Sequence, residues 1–335
     1  MRKLGVFLIG AVCSFAFINK TTVISSVSAE DATVYVGGMS AGFTLKTDGA
    51  QIIGLSEVAT EKGTFSPALQ AGIKTGDIIR KVGGIRVHGV NDLNEIVNKS
   101  KGKELVYEVE RGAEEFQFSI QAVKERQTER YKIGVLVRES VSGIGTVTYI
   151  NKETGRFGAL GHPVVGENNR QMSISNGIVY ECSIVGVNKG IRGKAGELRG
   201  MFLNDKCFGS AEKLCDCGIF GQVSEDFKVN SLFCAVASSQ SVQPGNAYIY
   251  STVNGVCPEK YSIEIVKVDK NNKENKNYVI KITDERLIAQ TGGIVQGMSG
   301  SPILQDDKLV GAVTHVFLND PTRGYGIDIQ AMLNE

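Results

Sequence analysis

Thr291-Gly292-Gly293-Ile294-Val295-Gln296-Gly297-Met298-Ser299-Gly300-Ser301-Pro302 places a serine inside a glycine frame and runs straight into the apolar Ile303-Leu304. Glycine lets the chain bend where other residues cannot. A serine held in such a bend between two strands presents a bare hydroxyl and two backbone N–H groups to one spot. That is the geometry of a nucleophile with an oxyanion hole. Outward from this loop, strand and turn signals recur every few residues over 133–137, 145–150, 178–187, 247–253, 261–268, 278–282, 302–304 and 309–317. Many short strands without alternating helices predict a β-barrel or sandwich. The polar run over 269–277 reads as a solvated loop tip, and 151–155 and 306–308 as hairpin turns.

A serine hydroxyl needs a base, and histidine is the usual one near neutral pH. The chain has three. His88 follows a strand in the first half and reads as a surface residue. His162 stands in Phe157-Gly158-Ala159-Leu160-Gly161-His162-Pro163, where the glycines and proline predict a tight bend at a strand end that can aim an imidazole into a cleft. His315 lies mid-strand, and alternation puts it on a face with Val313 and Phe317, as core or pocket wall. A third member would be a carboxylate orienting the imidazole. Asp284 ends a strand shortly before the serine loop and could equally cap a helix or turn. Asp205, Asp216 and Asp226 remain open as alternatives.

The composition is that of a strand-rich globular protein: 42% hydrophobic, 22% charged, 40 glycines, 6 prolines and no tryptophan. A net charge of +1 argues against nucleic acid as the main partner. Residues 1–29 have a basic start at Met1-Arg2-Lys3, an apolar stretch, and the small residues Val27-Ser28-Ala29. That order predicts a signal peptide or an N-terminal membrane anchor, with the rest of the chain exported. Of seven cysteines, six lie at 182, 207, 215, 217, 234 and 257, in the second half. Cys215-Asp216-Cys217 is too tight for a zinc knuckle and has no histidine nearby, so disulfides or buried thiols are expected, and no metal or cofactor.

Residues 31–123 read as a small mixed domain. Phe43-Thr44-Leu45 and Gln51-Ile52-Ile53-Gly54-Leu55 flank Asp48-Gly49, a hairpin signal. Ser66, Pro67 and Gly72 punctuate a short helix, and Leu93, Ile96 and Val97 lie at helical spacing. Ser66-Pro67-Ala68, Ala71-Gly72-Ile73-Lys74-Thr75-Gly76-Asp77-Ile78-Ile79 and Val82-Gly83-Gly84 resemble a PDZ domain of the bacterial protease type. The resemblance implies an extended peptide added as a strand beside a helix. It puts the ligand loop at Ser40, Ala41, Gly42 and Phe43, unless the groove is filled by the protein's own chain.

Beyond the charged stretch 125–130, residues 131–335 with the PDZ-like segment resemble the sporulation stage IV protein B peptidases. The likeness rests on the segments around His162 and Ser299, on Leu309-Val310-Gly311-Ala312-Val313-Thr314-His315-Val316-Phe317, and on Asn319-Asp320-Pro321. It implies a mainly β protein, with a PDZ-like domain followed by a chymotrypsin-like double β-barrel serine peptidase. It further implies Ser299 as nucleophile, His162 as base, Asp284 as acidic partner, and the N–H groups of Gly297 and Ser299 as oxyanion hole. The implied substrate is a membrane-bound sporulation regulator, cut outside the cytoplasm to trigger intramembrane proteolysis and late sigma-factor activation, with self-cleavage besides. The alternative is a non-catalytic PDZ scaffold for exported peptides. Met298 stands where secreted trypsin-like enzymes carry an aspartate, which argues against zymogen activation through a freed N-terminus.

Overall fold

The computed structural model describes residues 33–165, 174–230 and 232–335. The expected export segment over 1–29 lies outside them. Among the described residues no helix is long and apolar enough to cross a membrane.

The chain opens with β1 (Thr33–Val36) and a long β2 (Ser40–Leu55). The PDZ elements follow: β3 (Val58–Thr60), β4 (Gly63–Phe65), α1 (Pro67–Ala71), β5 (Ile78–Val82), β6 (Ile85–Arg86), α2 (Val90–Lys99), β7 (Glu104–Arg111), β8 (Glu114–Gln121), β9 (Val123–Lys124) and β10 (Tyr131–Lys132). Local signals set the helices: Pro67 starts α1, and Gly72 ends it at φ 95° in the left-handed region. Ile52, Ile73, Ile79, Leu93, Tyr107 and Ile120 fill this core. Asp77 is buried there, gripped by Arg111 through Nε–Oδ1 at 2.7 Å and Nη2–Oδ2 at 2.8 Å, with the Lys74 N–H donating to Oδ2 at 2.8 Å.

Two barrels make up the rest. β11 (Val135–Asn151), β12 (Arg156–Leu160), β13 (Ile174–Asn188), β14 (Glu197–Cys215) and β15 (Gly218–Val223) close into a ring with β2, in the order β2-β11-β12-β15-β14-β13 and back to β2. β16 (Phe233–Ala235) pairs with β1 on its rim. Phe43, Val147, Phe157, Ala159, Val179, Phe208 and Ile219 fill this barrel. β17 (Gly245–Ser251), β18 (Glu259–Val268), β19 (Tyr278–Ile282), α3 (Glu285–Thr291), β20 (Pro302–Gln305), β21 (Lys308–Phe317), β22 (Asp320–Asp328) and α4 (Ile329–Leu333) complete the chain. Their strands close as β17-β18-β19-β22-β21-β20 around Ile249, Ile263, Ile265, Ile280, Ile303 and Val313. The protein is thus mainly β, a PDZ-like unit ahead of a two-barrel unit.

Two expectations change. Asp48-Gly49 is no hairpin turn: β2 runs through it, and Gly49, at φ 96°, kinks a single strand. The expected strands 133–137 and 145–150 merge, residues 135–137 and 145–150 being parts of one strand, because β11 pairs along almost all of β2, from Val135↔Leu55 to Thr146↔Ser40, with bulges absorbing the twist. β2 therefore belongs to both units, closing the first barrel with one half and joining β5 of the PDZ sheet with the other.

Candidate active site

The loop between α3 and β20 is clamped from the first barrel. Thr146 and Thr148 on β11 are fully buried, and their hydroxyls donate to the carbonyls of Gly297 and Gly300, each at 2.8 Å. The Thr146 N–H donates to the Ser299 carbonyl at 2.9 Å. On the second-barrel side, the Gly300 N–H meets Val313 O at 2.8 Å. Gly300 sits at φ 95°, and a Cβ there would lie 2.0 Å from Thr146 O, so only glycine fits between the serine and β11. Met298 is wholly buried in the apolar cluster of the second barrel.

Planar peptides fix where the loop's N–H groups point. The Gln296 carbonyl accepts from Leu198 N at 2.8 Å, so the Gly297 N–H of the same unit points the other way. The Met298 carbonyl accepts from Ser301 N at 2.9 Å, which turns the Ser299 N–H away likewise. Neither N–H has a hydrogen-bond partner among the described residues. Two free donors flanking a serine are what an oxyanion hole needs.

His162 follows the end of β12, on the first barrel. Leu160 and Gly161 both adopt the left-handed region, at φ 70° and 71°, and reverse the chain just before the imidazole. Gly161 packs against Thr314, the residue whose carbonyl accepts the Ser299 hydroxyl at 2.8 Å. His162 and Ser299 thus approach the same stretch of β21 from opposite barrels. Nδ1 of His162 lies 2.9 Å from Pro163 O. Assigning that contact as Nδ1–H donating leaves the Nε2 lone pair free to act as base. Burial pushes the imidazole below its ordinary value, and the Pro163 contact partly offsets this.

Asp284 takes another job. It is the N-cap of α3: Oδ1 accepts from the N–H groups of Arg286 and Leu287, and Oδ2 meets the Arg286 guanidinium at 3.1 Å and Ser262 N at 3.4 Å. Helix and arginine hold this carboxyl below its usual range despite desolvation. It makes no contact with His162, and among the described residues no carboxylate does. The signal for the cap was present in Asp284 and Gly292, which bracket α3.

Ser40, Ala41, Gly42 and Phe43 do not form a ligand loop either. They are the first residues of β2, buried, all four paired with Gly143–Thr146 of β11 and Ala41–Phe43 paired also with Val179–Glu181 of β13. Backbone already bound on both edges has no amides left to hold a peptide terminus. The PDZ edge beside α2 is supplied by β11, where Val135 and Leu136 line a cleft of about 300 Å³ with Val90, Leu93, Asn94 and Val97.

His315 also departs from expectation. Pairing of β21 with β22 slips between Val313 and Val316, so strict alternation fails there. Val313 and Thr314 are buried and His315 is exposed, its ring centroid 4.9 Å from that of His162 with the planes tilted by 41°. The buried Thr314 hydroxyl has no partner among the described residues. The six described cysteines are unpaired thiols. Cys215 and Cys217 cluster with Glu335, whose carboxylate is ion-paired to Lys213 at 2.7 Å.

Fold and site define a serine peptidase preceded by a PDZ domain. Residues 129–333 match the family SpoIVB peptidase S55 and residues 41–122 match the PDZ domain family. The chain belongs to the SpoIVB peptidase S55 family. No curated protein matches it. Similar solved structures include the PDZ domain of an SdrC-like protein from Listeria monocytogenes, 16% identical, covering 27% of this chain and 87% of that one at a TM-score of 0.22. Another is an inactive serine-to-alanine mutant of Rv3671c from M. tuberculosis, 14% identical, covering 57% and 80% at a TM-score of 0.31.

Proposed function

We propose that this serine peptidase is a regulatory endopeptidase working outside the cytoplasm, in the space between mother cell and forespore. Its substrate is the exposed segment of a membrane-bound sporulation regulator, whose cleavage starts intramembrane proteolysis and late sigma-factor activation. Its N-terminal segment holds it at the membrane until it cuts itself in that region. The observation that carries the catalytic part is the clamped loop, which pairs the Ser299 hydroxyl with two partnerless N–H groups beside the His162 bend.

In this reading His162 Nε2 takes the Ser299 proton as Oγ attacks the scissile carbonyl. The oxyanion is held by the N–H groups of Gly297 and Ser299, and protonated His162 returns its proton to the leaving amine. Water then attacks the acyl-enzyme by the same route reversed. Ser299 now donates to Thr314 O, so the hydroxyl must rotate to His162 before attack. A regulatory role is supported by β11, which forms the PDZ edge beside α2 at one end and holds the serine loop at the other.

The test is self-cleavage of the chain lacking residues 1–29, followed by intact mass beside Ser299→Ala and His162→Ala. Discrete cuts in the wild type alone support the reading. Equal persistence of all three, with no fluorophosphonate adduct on Ser299, overturns it in favour of a peptide-binding scaffold.

A further inference from the structure

A histidine base must keep one orientation and become cationic in the transition state, a task usually given to a carboxylate. Here Asp284 is committed to α3, and among the described residues Nδ1 of His162 has only the Pro163 carbonyl. The carbonyl fixes the tautomer through a single contact at the edge of the ring. The group lying against the ring is His315, with centroids 4.9 Å apart. The slip of β21 against β22 delivers it there, and the same turn of strand presents Thr314 O to Ser299.

We propose that His315 is a positioning residue for the base: its ring packs on His162 and holds Nε2 toward Ser299 while Nδ1–H stays on Pro163. The inference rests on the reading of Ser299 and His162 as nucleophile and base. Partial desolvation, the neighbouring His162 and the positive charge of Lys276 press His315 down from 6.5 to about 4, so it stays neutral near pH 7 and adds no second cation beside the imidazolium. Among the described residues the contacts to the His162 ring are the Pro163 carbonyl and the His315 ring. His315 contacts the base on one side and solvent on the other, so its replacement leaves the core untouched.

The experiment measures the second-order rate of Ser299 acylation by a fluorophosphonate from pH 4 to 9, on the chain lacking residues 1–29. Wild type, His162→Ala, His315→Ala and His315→Phe are compared, with urea midpoints to confirm folding. A reactive wild type and a silent His162→Ala establish the underlying reading; a silent wild type defeats that reading itself. With the reading in place, His315→Ala should slow acylation roughly 10- to 100-fold, as a loosened catalytic group does. Its acid limb should move up toward 6.5 as water reaches His162. His315→Phe, which keeps a ring but no nitrogen, should recover most of the rate. A wild-type rate and profile in His315→Ala overturns the proposal, and so does a His315→Phe as slow as the alanine variant.

Discussion

Replacing Thr146 or Thr148 by valine tests whether the serine loop owes its shape to β11. Each substitution keeps the branched shape and removes one hydroxyl. Each hydroxyl is the only hydrogen-bond partner, among the described residues, of a loop carbonyl: Gly297 O for Thr146 and Gly300 O for Thr148, both at 2.8 Å. Both threonines are fully buried, so water cannot replace the lost donor. A buried acceptor left without its partner costs about 1–3 kcal/mol. The two sites are neighbours on one strand, so the double variant should fall short of the sum. The Gly297–Met298 peptide lies between the two free N–H groups, so Thr146→Val should disturb the oxyanion donors more directly than Thr148→Val. At about 1.4 kcal/mol per tenfold in rate, a loss of that size borne by the loop slows acylation about 5- to 150-fold. Urea unfolding and fluorophosphonate labelling of Ser299 measure the two effects separately. The expected outcome is a lower urea midpoint in both variants and slower labelling, most of all in Thr146→Val. Wild-type labelling with unchanged midpoints would refute the clamp.

Acylation needs neutral His162, whose value lies below the ordinary 6.5, so a pH–rate profile should hold its plateau below pH 6.5 and lose activity only as pH falls through the depressed value. His315 sits lower folded than unfolded, so its contribution is present above 6.5 and lost as pH falls from 6.5 toward about 4; urea midpoints should decline across that window, less steeply in His315→Phe. Asp284→Ala removes the α3 cap and should cost about 0.5–2 kcal/mol in a denaturation curve while labelling at the wild-type rate. Asp77→Ala leaves the Lys74 N–H and the half-exposed Arg111 without their acceptor and should cost about 1–3 kcal/mol, read as hydrogen exchange rising first across β5, α2 and β7.

The parts legible in the sequence were those decided by a residue's own backbone. Gly297 and Gly300 occupy positive φ, Pro67 and Gly72 bound a helix, and Leu160-Gly161 turns the chain at His162, so the serine loop, α1 and the histidine bend could be read locally. The illegible parts depend on partners far away in the chain. Asp48-Gly49 carries the same local signal whether it closes a hairpin or kinks a strand, and the choice is made by β11, which meets Leu55 with Val135. With β2 continuous, Ser40–Phe43 falls inside a barrel and cannot face a peptide. His315 was placed by alternation, and a register slip set by β22 undid it. β14 escaped notice because its burial hardly alternates, with Asn204, Asp205 and Lys206 exposed at its centre.

The shared strands change what a domain boundary means here. A cut near residue 130 separates the PDZ motif from the peptidase motif on paper, yet residues 131–335 alone lack β1 and β2. β2 is one of the six strands that close the first barrel, and its loss would bare an edge of β11 and an edge of β13. It would also remove Phe43 and Leu45 from the barrel core, each contributing about 1.5–3 kcal/mol by burial. A domain is stable by only about 5–15 kcal/mol, so such a loss is of the same order as the whole. The opposite cut fares no better, because Ile133 is buried in the PDZ core and Gly134 bonds to Ser56 from beyond the boundary. The two units fold as partners through β2 and β11, and the strand that completes the PDZ edge is the one whose threonines shape the serine loop.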